Sequence, residues 1–584
     1  MFFSYRENLF SKENFNKEAL SKKETVFLFH YDILGVFSLR KIKRDIIRDM
    51  KKFWRTITSP KLLFALLILL ELLLIIGGYL FLELYLDTLL QNEAENPKDL
   101  AHGIKLLVIL VVRFALSIIA LVVFFKIINR EENPEYKIPW ITFLFLFPAM
   151  TLTFYFVFVR VRMRRKDAKI VIPTMRYLGE KAKEHADIEK ANEEKIDGNC
   201  RGIFHYLHET TRLFTSTNNR LTYFKNGEEF FPSLIEDLRK AKKFIFLEFF
   251  IISEGKWYDK TIDVLKEKAK EGVDVRIIYD DIGCNRTISG SFVHKMKKEG
   301  ITAYPFHPIT PILSNVINNR DHRKIVIIDH QIGYTGGMNL ADEYANDKKR
   351  FGYWKDTMIK IEGEGIKDLI VTFLQNHDLC THEITDYSIF TKGDDYPHFE
   401  DKGASFFFGD TPGPYDDDEQ VGEQNYINML NVATKRVDIS TPYLICTYPL
   451  IRALQSAAKR GVEVNLIVPG IPDKKIVYWM AKCQFHLFLE AGIHVYTYTP
   501  GFNHQKGMLV DDKVACVGTI NFDFRSLTHH FEDAMVIYDA PCLKDIKKDF
   551  EEMISVSKEV PVNFKASAFQ RFISGVFKIF RVLL

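Results

Sequence analysis

The chain lacks the features that mark several common classes of protein. Its seven cysteines are an odd number and none of them forms a C-x-x-C pair. The sequence therefore signals neither a disulfide framework nor a zinc site, and unpaired, mostly buried thiols are expected. The formal net charge is only +3, so no overall basic field points to nucleic acid. A length of 584 residues is too great for one compact core, which indicates several domains.

Long apolar runs are concentrated in one part of the chain, at residues 62–86, 106–125 and 138–159. Each run is long enough to cross about 30 Å of hydrocarbon as a helix. We predict two to three transmembrane helices, the alternative for any one run being a helix at the membrane interface. Glu71 and Arg113 lie inside two of the runs. A charge in a span is costly unless it is paired, so these two side chains are predicted to approach each other.

The segments before and after these apolar runs carry information about the orientation in the membrane. About sixty residues, many of them charged, precede the first run, so a cleaved signal peptide is not expected. Basic segments at 40–55 and 160–166 both favour the cytoplasmic side, which requires an even number of crossings, whereas three runs give an odd number. The face of the membrane that holds the soluble region is therefore left open.

From about residue 219 the sequence repeats a plan of helix followed by strand. KEGVDV, which contains Gly272, aligns with KRGVEV, which contains Gly461. An H-x-K-x-x-x-x-D segment follows about 50 residues after the first glycine and about 43 after the second. This order predicts two copies of one α/β unit, with largely parallel sheets covered by helices on both faces.

These patterns divide the chain into six predicted segments. They are a polar and basic leader at 1–61, a membrane domain at 62–160, a charged linker at 161–218, a first catalytic domain at 219–396, a second at 397–565 and an amphipathic tail at 566–584. Apolar residues at helical spacing in the tail, with basic residues between them, fit a helix on an anionic bilayer surface. A final helix docked on the protein fits equally well.

Two matched motifs carry the chemistry. The first holds His322, Lys324, Asp329, Gly336, Gly337 and Asn339, and the second holds His504, Lys506, Asp511, Gly518, Thr519 and Asn521. One such motif alone is weak evidence, and a lone histidine or lysine is more often a surface residue. Two copies with nearly equal spacing are far more specific. In each, the histidine and lysine alternate along a strand and so share one face.

Such a face suits a phosphodiester. A neutral imidazole can attack phosphorus and form a phosphohistidine, while a second histidine protonates the leaving alkoxide and then deprotonates the incoming alcohol. The phosphate oxygens would be held by the two lysines, Lys324 and Lys506, and by the amides of Asn339 and Asn521. No metal or other cofactor is needed for this scheme. Asp329 and Asp511 belong to the catalytic motifs, but structural support is the role expected for them.

These residues resemble the phospholipase D superfamily and, within it, the bacterial cardiolipin synthases. Besides the two motifs, the resemblance includes VRIIYDDIG, GYWKDT, TPYLI, VPGIPDK and YTPGFNHQK. It implies two tandem phospholipase D-like α/β/α sandwich domains preceded by transmembrane helices. It also implies His322 as nucleophile and His504 as acid/base, the opposite assignment remaining open. Asp356 of GYWKDT and Glu532 of HHFED would orient the imidazoles, with Asp356 expected behind His322 and Glu532 behind His504.

The resemblance further implies a multi-pass enzyme of the bacterial cytoplasmic membrane that converts two phosphatidylglycerol molecules into cardiolipin and glycerol. The bilayer is its expected partner, an oligomer is left open, and no nucleic acid is expected. The alternatives are a phospholipase D, a phosphatidylserine synthase-type transphosphatidylase or, less favoured, a nuclease. Two departures from the family pattern stand out: Thr519 replaces the commoner serine, and His530 stands where asparagine is usual.

Overall fold

The computed structural model describes residues 100–130, 134–148, 165–308, 319–393, 395–412 and 419–578, together with positions 85, 88, 150–152 and 155. The predicted leader at 1–61 and nearly all of the first apolar run lie outside the described residues. The predicted contact between Glu71 and Arg113 also lies outside them, because Glu71 is not described.

Two apolar helices come first. They are α1 (Leu100–Ile128) and α2 (Pro134–Leu146), and they pack through Val123, Ile127 and Leu144. Among the described residues, one helical segment, Leu107–Ile128, is long and apolar enough to cross a membrane, judged by length and composition alone. The apolar stretch in α2, Lys137–Leu146, is shorter. The multi-pass prediction is therefore not confirmed.

Three helices occupy the segment that the sequence presents as a charged linker. They are α3 (Arg165–Glu184), α4 (Ala186–Glu193) and α5 (Gly198–Thr211). Ile170 and Leu178 of α3, with Phe204 of α5, are buried in the catalytic core. The segment is therefore part of that core, because its apolar residues recur at helical spacing beneath the charged ones.

The first half of the catalytic region forms a seven-stranded sheet with order β1-β8-β6-β5-β2-β3-β4. Its elements are β1 (Asn219–Phe224), α6 (Gly227–Leu238), β2 (Phe244–Phe249), α7 (Lys256–Lys270), β3 (Asp274–Asp280), α8 (Asp281–Cys284), α9 (Phe292–Lys298), β4 (Thr302–Phe306), β5 (Lys324–Ile328), β6 (Ile332–Gly336), β7 (Tyr353–Lys355), β8 (Met358–Gly363), α10 (Ile366–Thr381) and α11 (Ser388–Thr391).

The second half forms an eight-stranded sheet with order β17-β12-β11-β10-β14-β15-β16-β9. Its elements are β9 (Ala404–Asp410), α12 (Val421–Val432), β10 (Arg436–Ser440), α13 (Tyr448–Lys459), β11 (Glu463–Pro469), α14 (Lys475–Leu489), β12 (His494–Tyr498), β13 (Gly501–Asn503), β14 (Gly507–Val510), β15 (Val514–Gly518), α15 (Phe524–Thr528), β16 (Glu532–Tyr538), α16 (Leu543–Ser555), β17 (Ser557–Glu559) and α17 (Ala568–Lys578).

The two sheets share one plan, which accords with the predicted α/β duplication. In each, three strands joined by helices pair in parallel, namely β2-β3-β4 and β10-β11-β12. The remaining ladders are antiparallel. The prediction of largely parallel sheets is therefore wrong. Each motif folds as a hairpin, β5–β6 or β14–β15, and a tight turn permits only antiparallel pairing.

The two halves are joined by backbone as well as by a shared core. Strand β7 of the first half pairs in parallel with β13 of the second. A Cβ on Gly501 would come within 2.2 Å of the Tyr353 carbonyl oxygen, so only glycine permits this approach. Ile325, Phe373 and Met535 belong to one buried apolar cluster that runs through both halves. This junction carries the site described next.

Candidate active site

Each motif hairpin presents a buried histidine and a buried lysine at its start. His322 lies two residues before Lys324, the first residue of β5, and Lys324 Nζ donates to the His322 carbonyl. His504 and Lys506 hold the equivalent positions before β14, where Lys506 Nζ donates to the His504 carbonyl and lies 3.2 Å from His504 Nε2. Both halves thus hold a buried lysine against the backbone of the histidine in the same motif.

The motif aspartates lie at the other end of each hairpin strand. Asp329 accepts three backbone N–H bonds of 2.7–2.8 Å from residues 242–244. Asp511 accepts backbone bonds of 2.8 Å from residues 434–436 in the same way. Both aspartates adopt a left-handed backbone with φ of +52° at the hairpin turn. They fasten the turn to the neighbouring strand, roughly 23 Å of chain from the histidines, which accords with a structural role.

The carboxylates that hold the imidazoles come from the opposite half. His322 Nδ1 bonds Glu532 Oε2 at 2.8 Å, and His504 Nδ1 bonds Asp356 Oδ2 at 2.5 Å. The predicted pairs, Asp356 behind His322 and Glu532 behind His504, are wrong. The two residues do orient imidazoles, but each acts on the histidine of the other motif.

Backbone pairing between the halves causes this exchange. The His322 N–H donates to the Phe531 carbonyl at 2.8 Å, which places His322 beside the next residue, Glu532. The His504 N–H donates to the Lys355 carbonyl at 2.7 Å, so His504 lies beside the residue that follows Lys355. Each imidazole receives its carboxylate from the opposite half, and the site is complete only when both halves meet.

Burial and neighbouring cations set the protonation of the site. Burial, then Lys506, lower the pKa of His504 to about 4 despite the opposing effect of Asp356. Burial, then Lys324, Lys506 and His504, hold the pKa of His322 well below its usual range. Both imidazoles are therefore neutral near pH 7. Because second-half charges act on His322, the two motifs face one site.

The lysines are affected by the same burial. The pKa of Lys506 is lowered to about 7 by burial, and that of Lys324 is also lowered by burial. Both ammonium groups are thus poorly solvated, and a phosphate anion between them would restore the charged form. An anion is the ligand that this pair of cations favours.

The two asparagines predicted to bind phosphate are engaged elsewhere. Asn339 Nδ2 donates to the Tyr344 hydroxyl at 2.6 Å, and its Oδ1 accepts from the Ile251 N–H at 2.9 Å. Asn521 Nδ2 donates to Ser526 Oγ at 3.0 Å. In this arrangement the asparagines fix the loops after β6 and β15. An amide nitrogen carries two N–H groups, so each asparagine keeps one N–H without a bond among the described residues, and phosphate binding by Asn339 and Asn521 stays a prediction.

The small residues that follow each hairpin make room for the carboxylate strands. A Cβ on Gly337 would come within 2.0 Å of Asp356 Oδ1, and one on Gly518 within 2.3 Å of the Asp533 carbonyl. Thr519 donates to the same carbonyl from its N–H at 2.9 Å and its hydroxyl at 3.1 Å. The glycine and small-residue pattern thus reflects close packing behind the imidazoles.

Two further residues act on the pair formed by His322 and Glu532. Arg323 is buried, and it donates to the Glu532 carbonyl at 2.9 Å and to the Asp410 carbonyl at 3.1 Å. His530 Nδ1 lies 3.3 Å from Glu532 Oε1, so one carboxylate serves two imidazoles. Sequence reasoning missed Arg323, although alternation along the motif strand already pointed it away from the histidine and lysine.

Lys474 is a third cation whose charge reaches the site, and the sequence patterns gave no signal for it. Its charge contributes to the lowered pKa of His322, after burial and the nearer cations. Its Nζ lies over the Tyr443 ring at 4.8 Å, and Tyr443 donates to Asp473 at 2.7 Å. Lys474 belongs to the segment VPGIPDK, which carries part of the family resemblance.

Among the described residues, His322, His530 and Glu532 form a group that could offer a metal three ligand atoms, all within 4.8 Å of one another. Two buried lysines act on His322 in this group. Lys324 and Lys506 both lower the pKa of His322, after burial. That field favours an anion over a divalent cation.

The fold and the site together define a class of protein. Two hairpins of one kind close on each other, and each supplies an imidazole that the other half orients within a cationic pocket. This is the architecture of an enzyme that transfers phosphodiester groups through paired histidine motifs, as in the phospholipase D superfamily.

Comparison with known proteins narrows the class. A family model described as "Cardiolipin synthase, PLD-like domain" matches residues 234–370 and 426–554, once in each half. A cardiolipin synthase of Staphylococcus aureus is 35% identical over 352 residues, which cover 59% of this chain and 69% of that protein. An uncharacterized protein of Streptococcus mutans is 44% identical over 355 residues, covering 61% of this chain and 76% of that protein. The chain belongs to the cardiolipin synthase family of phospholipase D-like enzymes.

A solved structure shows the same fold at low sequence identity. The phosphatidylserine synthase of Haemophilus influenzae superposes with a TM-score of 0.51 at 14% identity, covering 65% of this chain and 99% of that one. The doubled α/β architecture is therefore shared across sequences that have diverged widely.

Proposed function

We propose that the protein is a cardiolipin synthase, which transfers the phosphatidyl group of one phosphatidylglycerol to the free hydroxyl of another and releases glycerol. The observation that carries the proposal is the exchanged pair of carboxylates. Because Glu532 and Asp356 bond the Nδ1 atoms of His322 and His504, the Nε2 atoms are the ones directed to chemistry, and Lys506 Nζ lies 3.2 Å from that of His504. The curated relative at 35% identity carries the name of this activity.

The first step forms a phosphohistidine. The Nε2 lone pair of His322 attacks phosphorus, and the phosphorus–oxygen bond to the glycerol headgroup breaks. The anion bound between Lys324 and Lys506 raises the pKa of His504 toward its usual range, so His504 can hold the proton that the leaving alkoxide takes. The ammonium groups stabilise the nonbridging oxygens as their charge grows.

The second step returns the enzyme to its starting state. The hydroxyl of a second phosphatidylglycerol loses its proton to His504 Nε2, and its oxygen attacks phosphorus. The bond between phosphorus and His322 Nε2 breaks, and cardiolipin is released. Neutral His504 is the competent base for this step, as its lowered pKa favours.

The division of labour between the histidines has a direct test. A phosphatidyl ester of p-nitrophenol carries a leaving group that needs no proton, so only the nucleophile is required for its release. We expect His504→Ala to give one equivalent of p-nitrophenolate per site and His322→Ala to give none. The reverse result would assign the nucleophile to His504.

We further propose that the enzyme works in the bacterial cytoplasmic membrane as a multi-pass protein, with the bilayer and phosphatidylglycerol as its partners. The helix segment Leu107–Ile128 and the membrane lipid substrate support a membrane location. The two catalytic domains are assigned to 219–396 and 397–565, which contain the first and second sheets respectively.

Product analysis separates this function from its alternatives. Purified full-length protein is incubated in vesicles that contain phosphatidylglycerol, alone or with serine, and the lipids are separated and identified. Cardiolipin with an equal amount of glycerol is the expected result. Phosphatidic acid alone would identify a phospholipase, and phosphatidylserine without cardiolipin would identify a serine transferase. In a parallel incubation with single-stranded DNA, cleavage without cardiolipin formation in the vesicles would identify a nuclease. Each of these results would overturn the proposal.

A further inference from the structure

The C-terminal helix is held against the catalytic region. Helix α17 packs on α14, with the Phe569 and Trp479 rings 5.9 Å apart. At the other end of α17, Phe577 packs against the buried side chains of Met480 and Phe524. The structure therefore realises the docked alternative for the amphipathic tail, and it fixes which face of the helix remains outside.

That outer face is apolar. Phe569 and Phe572 are 62% and 68% exposed and lie one turn apart on α17, so they share a side of the helix. Ile476 is 39% exposed and lies one turn before Trp479 on α14. Because Trp479 contacts Phe569, the four side chains are continuous. We call them the docking face.

The surroundings of the docking face are strongly basic. Residues 474–489 and 561–584 contain no aspartate or glutamate, whereas the whole chain has 76 acidic residues. The described basic residues of these two segments are Lys474, Lys475, Lys482, Lys565 and Arg571. A whole-chain net charge of only +3 makes this a local concentration of positive charge.

The docking face is also connected to the active site. Helix α14 follows directly on Lys474, whose charge acts on His322. The helix that carries Ile476 and Trp479 therefore begins at a residue whose charge reaches the reacting groups. It also belongs to the half of the protein that supplies His504.

We propose that the docking face binds the surface of a bilayer that contains anionic phospholipid, and thereby orients the catalytic pocket toward lipid. Exposed aromatic side chains beside basic residues are the chemistry of an interfacial membrane contact, in which apolar groups enter the headgroup boundary and cations meet anionic lipid. The proposal deepens the proposed function, because the substrate is itself an anionic bilayer lipid. The binding experiment below does not depend on that function.

The first experiment measures contact in the full-length protein. The protein is reconstituted in phosphatidylcholine vesicles with or without phosphatidylglycerol, carrying a spin label at Phe572→Cys. A matched control carries the label at Ile389→Cys, a residue 66% exposed on α11 in the first half. Unsubstituted protein gives the background from native cysteines such as Cys380 and Cys483.

We expect the label at position 572 to be more accessible to oxygen than to a water-soluble nickel complex in anionic vesicles, and the label at position 389 to show the reverse. Removing two charges with Lys565→Gln and Arg571→Gln should lower the docking constant about 30-fold, since each basic residue at an anionic surface contributes roughly fivefold. A nickel-accessible label at 572 would overturn the proposal. Protection from both reagents would also overturn it, because it would show the face covered by protein.

The second experiment compares two forms of one substrate. Phe569→Ser with Phe572→Ser should lower turnover of bilayer phosphatidylglycerol at least about tenfold at limiting surface density, because the apolar contact is lost. Turnover of monomeric dihexanoyl phosphatidylglycerol should be unchanged, and Ile389→Ser should alter neither. Equal loss on both substrates, or none on bilayers, would overturn the proposal. Failure to form cardiolipin would count against the proposed function and leave the label experiment to decide the docking.

Discussion

The exchange of carboxylates between the halves makes a prediction that other arrangements do not share. Glu532→Gln should produce the defect of His322→Ala, and Asp356→Asn should produce the defect of His504→Ala, because those are the imidazoles they contact. Replacing a carboxylate by an amide of the same shape keeps the packing. In the unsubstituted protein the carboxylate holds the proton on Nδ1 and so selects the tautomer with a free Nε2. The amide lacks that charge and no longer selects this tautomer.

The size of the effect follows from the tautomer. Loss of the carboxylate that orients a catalytic imidazole lowers the rate about 10⁴-fold in the serine protease triad. The bond from His504 to Asp356 is 2.5 Å long and that from His322 to Glu532 is 2.8 Å, and all four groups are buried. We therefore expect a loss of about 10³- to 10⁴-fold in kcat for each amide, or roughly 4 to 5.5 kcal/mol of barrier.

The assay separates the two defects by the leaving group. With the p-nitrophenyl ester, the acid is dispensable, so Asp356→Asn should keep a fast burst of p-nitrophenolate. Glu532→Gln should slow that burst by the full factor, because its partner is the nucleophile. On phosphatidylglycerol both variants should be slow. If Asp356→Asn followed His322→Ala and Glu532→Gln followed His504→Ala, the exchanged pairing would be refuted.

Three further predictions concern single residues. The pKa of Lys506 is lowered to about 7 by burial, so its ammonium group loses its proton as the pH rises, and kcat/KM should fall above about pH 7. In Lys506→Arg the fall in the pH profile should move to higher pH. A fall at the same pH in both proteins would assign it to another group. Asp511→Asn should lower the free energy of unfolding in denaturant titrations by about 3 kcal/mol, since the backbone bonds to a charged acceptor are weakened. The neighbouring Asp512→Asn loses only an exposed ion pair and should cost about 0–1 kcal/mol, so equal losses would contradict the structural role. Gly337→Ala should abolish turnover, because the new Cβ displaces the carboxylate of Asp356 behind one imidazole. Gly202→Ala, where no atom lies within 4 Å of the new Cβ, should be active and slightly more stable. An active Gly337→Ala variant would show that the surrounding residues can shift to accommodate the methyl group.

Sequence patterns were sufficient for the duplication, and they predicted the reacting groups. The repeated spacing of His322 with Lys324 and of His504 with Lys506 predicted both half-sites, although each histidine lies just before its hairpin strand and not within it. The structural role of Asp329 could also be predicted, since a carboxylate at a tight turn commonly accepts backbone N–H groups.

The pairing between the halves could not be predicted in this way. The residues Asp356 and His504 are joined through strands β7 and β13, which are far apart in the sequence and only three residues long. Such short edge pairings leave no periodic pattern in the sequence, and the family resemblance alone did not indicate which carboxylate meets which histidine. The same limit applies to α3, whose surface charges concealed that Ile170 belongs to the catalytic core.

The stereochemical course at phosphorus tests the central claim most directly. Full-length protein is given phosphatidylglycerol with a chiral phosphorothioate of known configuration, and the configuration of the cardiolipin product is determined by phosphorus NMR. Two displacements through a phosphohistidine, each with inversion, predict cardiolipin with net retention. Cardiolipin with inverted configuration would show that the second phosphatidylglycerol attacks directly, and would contradict the two-histidine account.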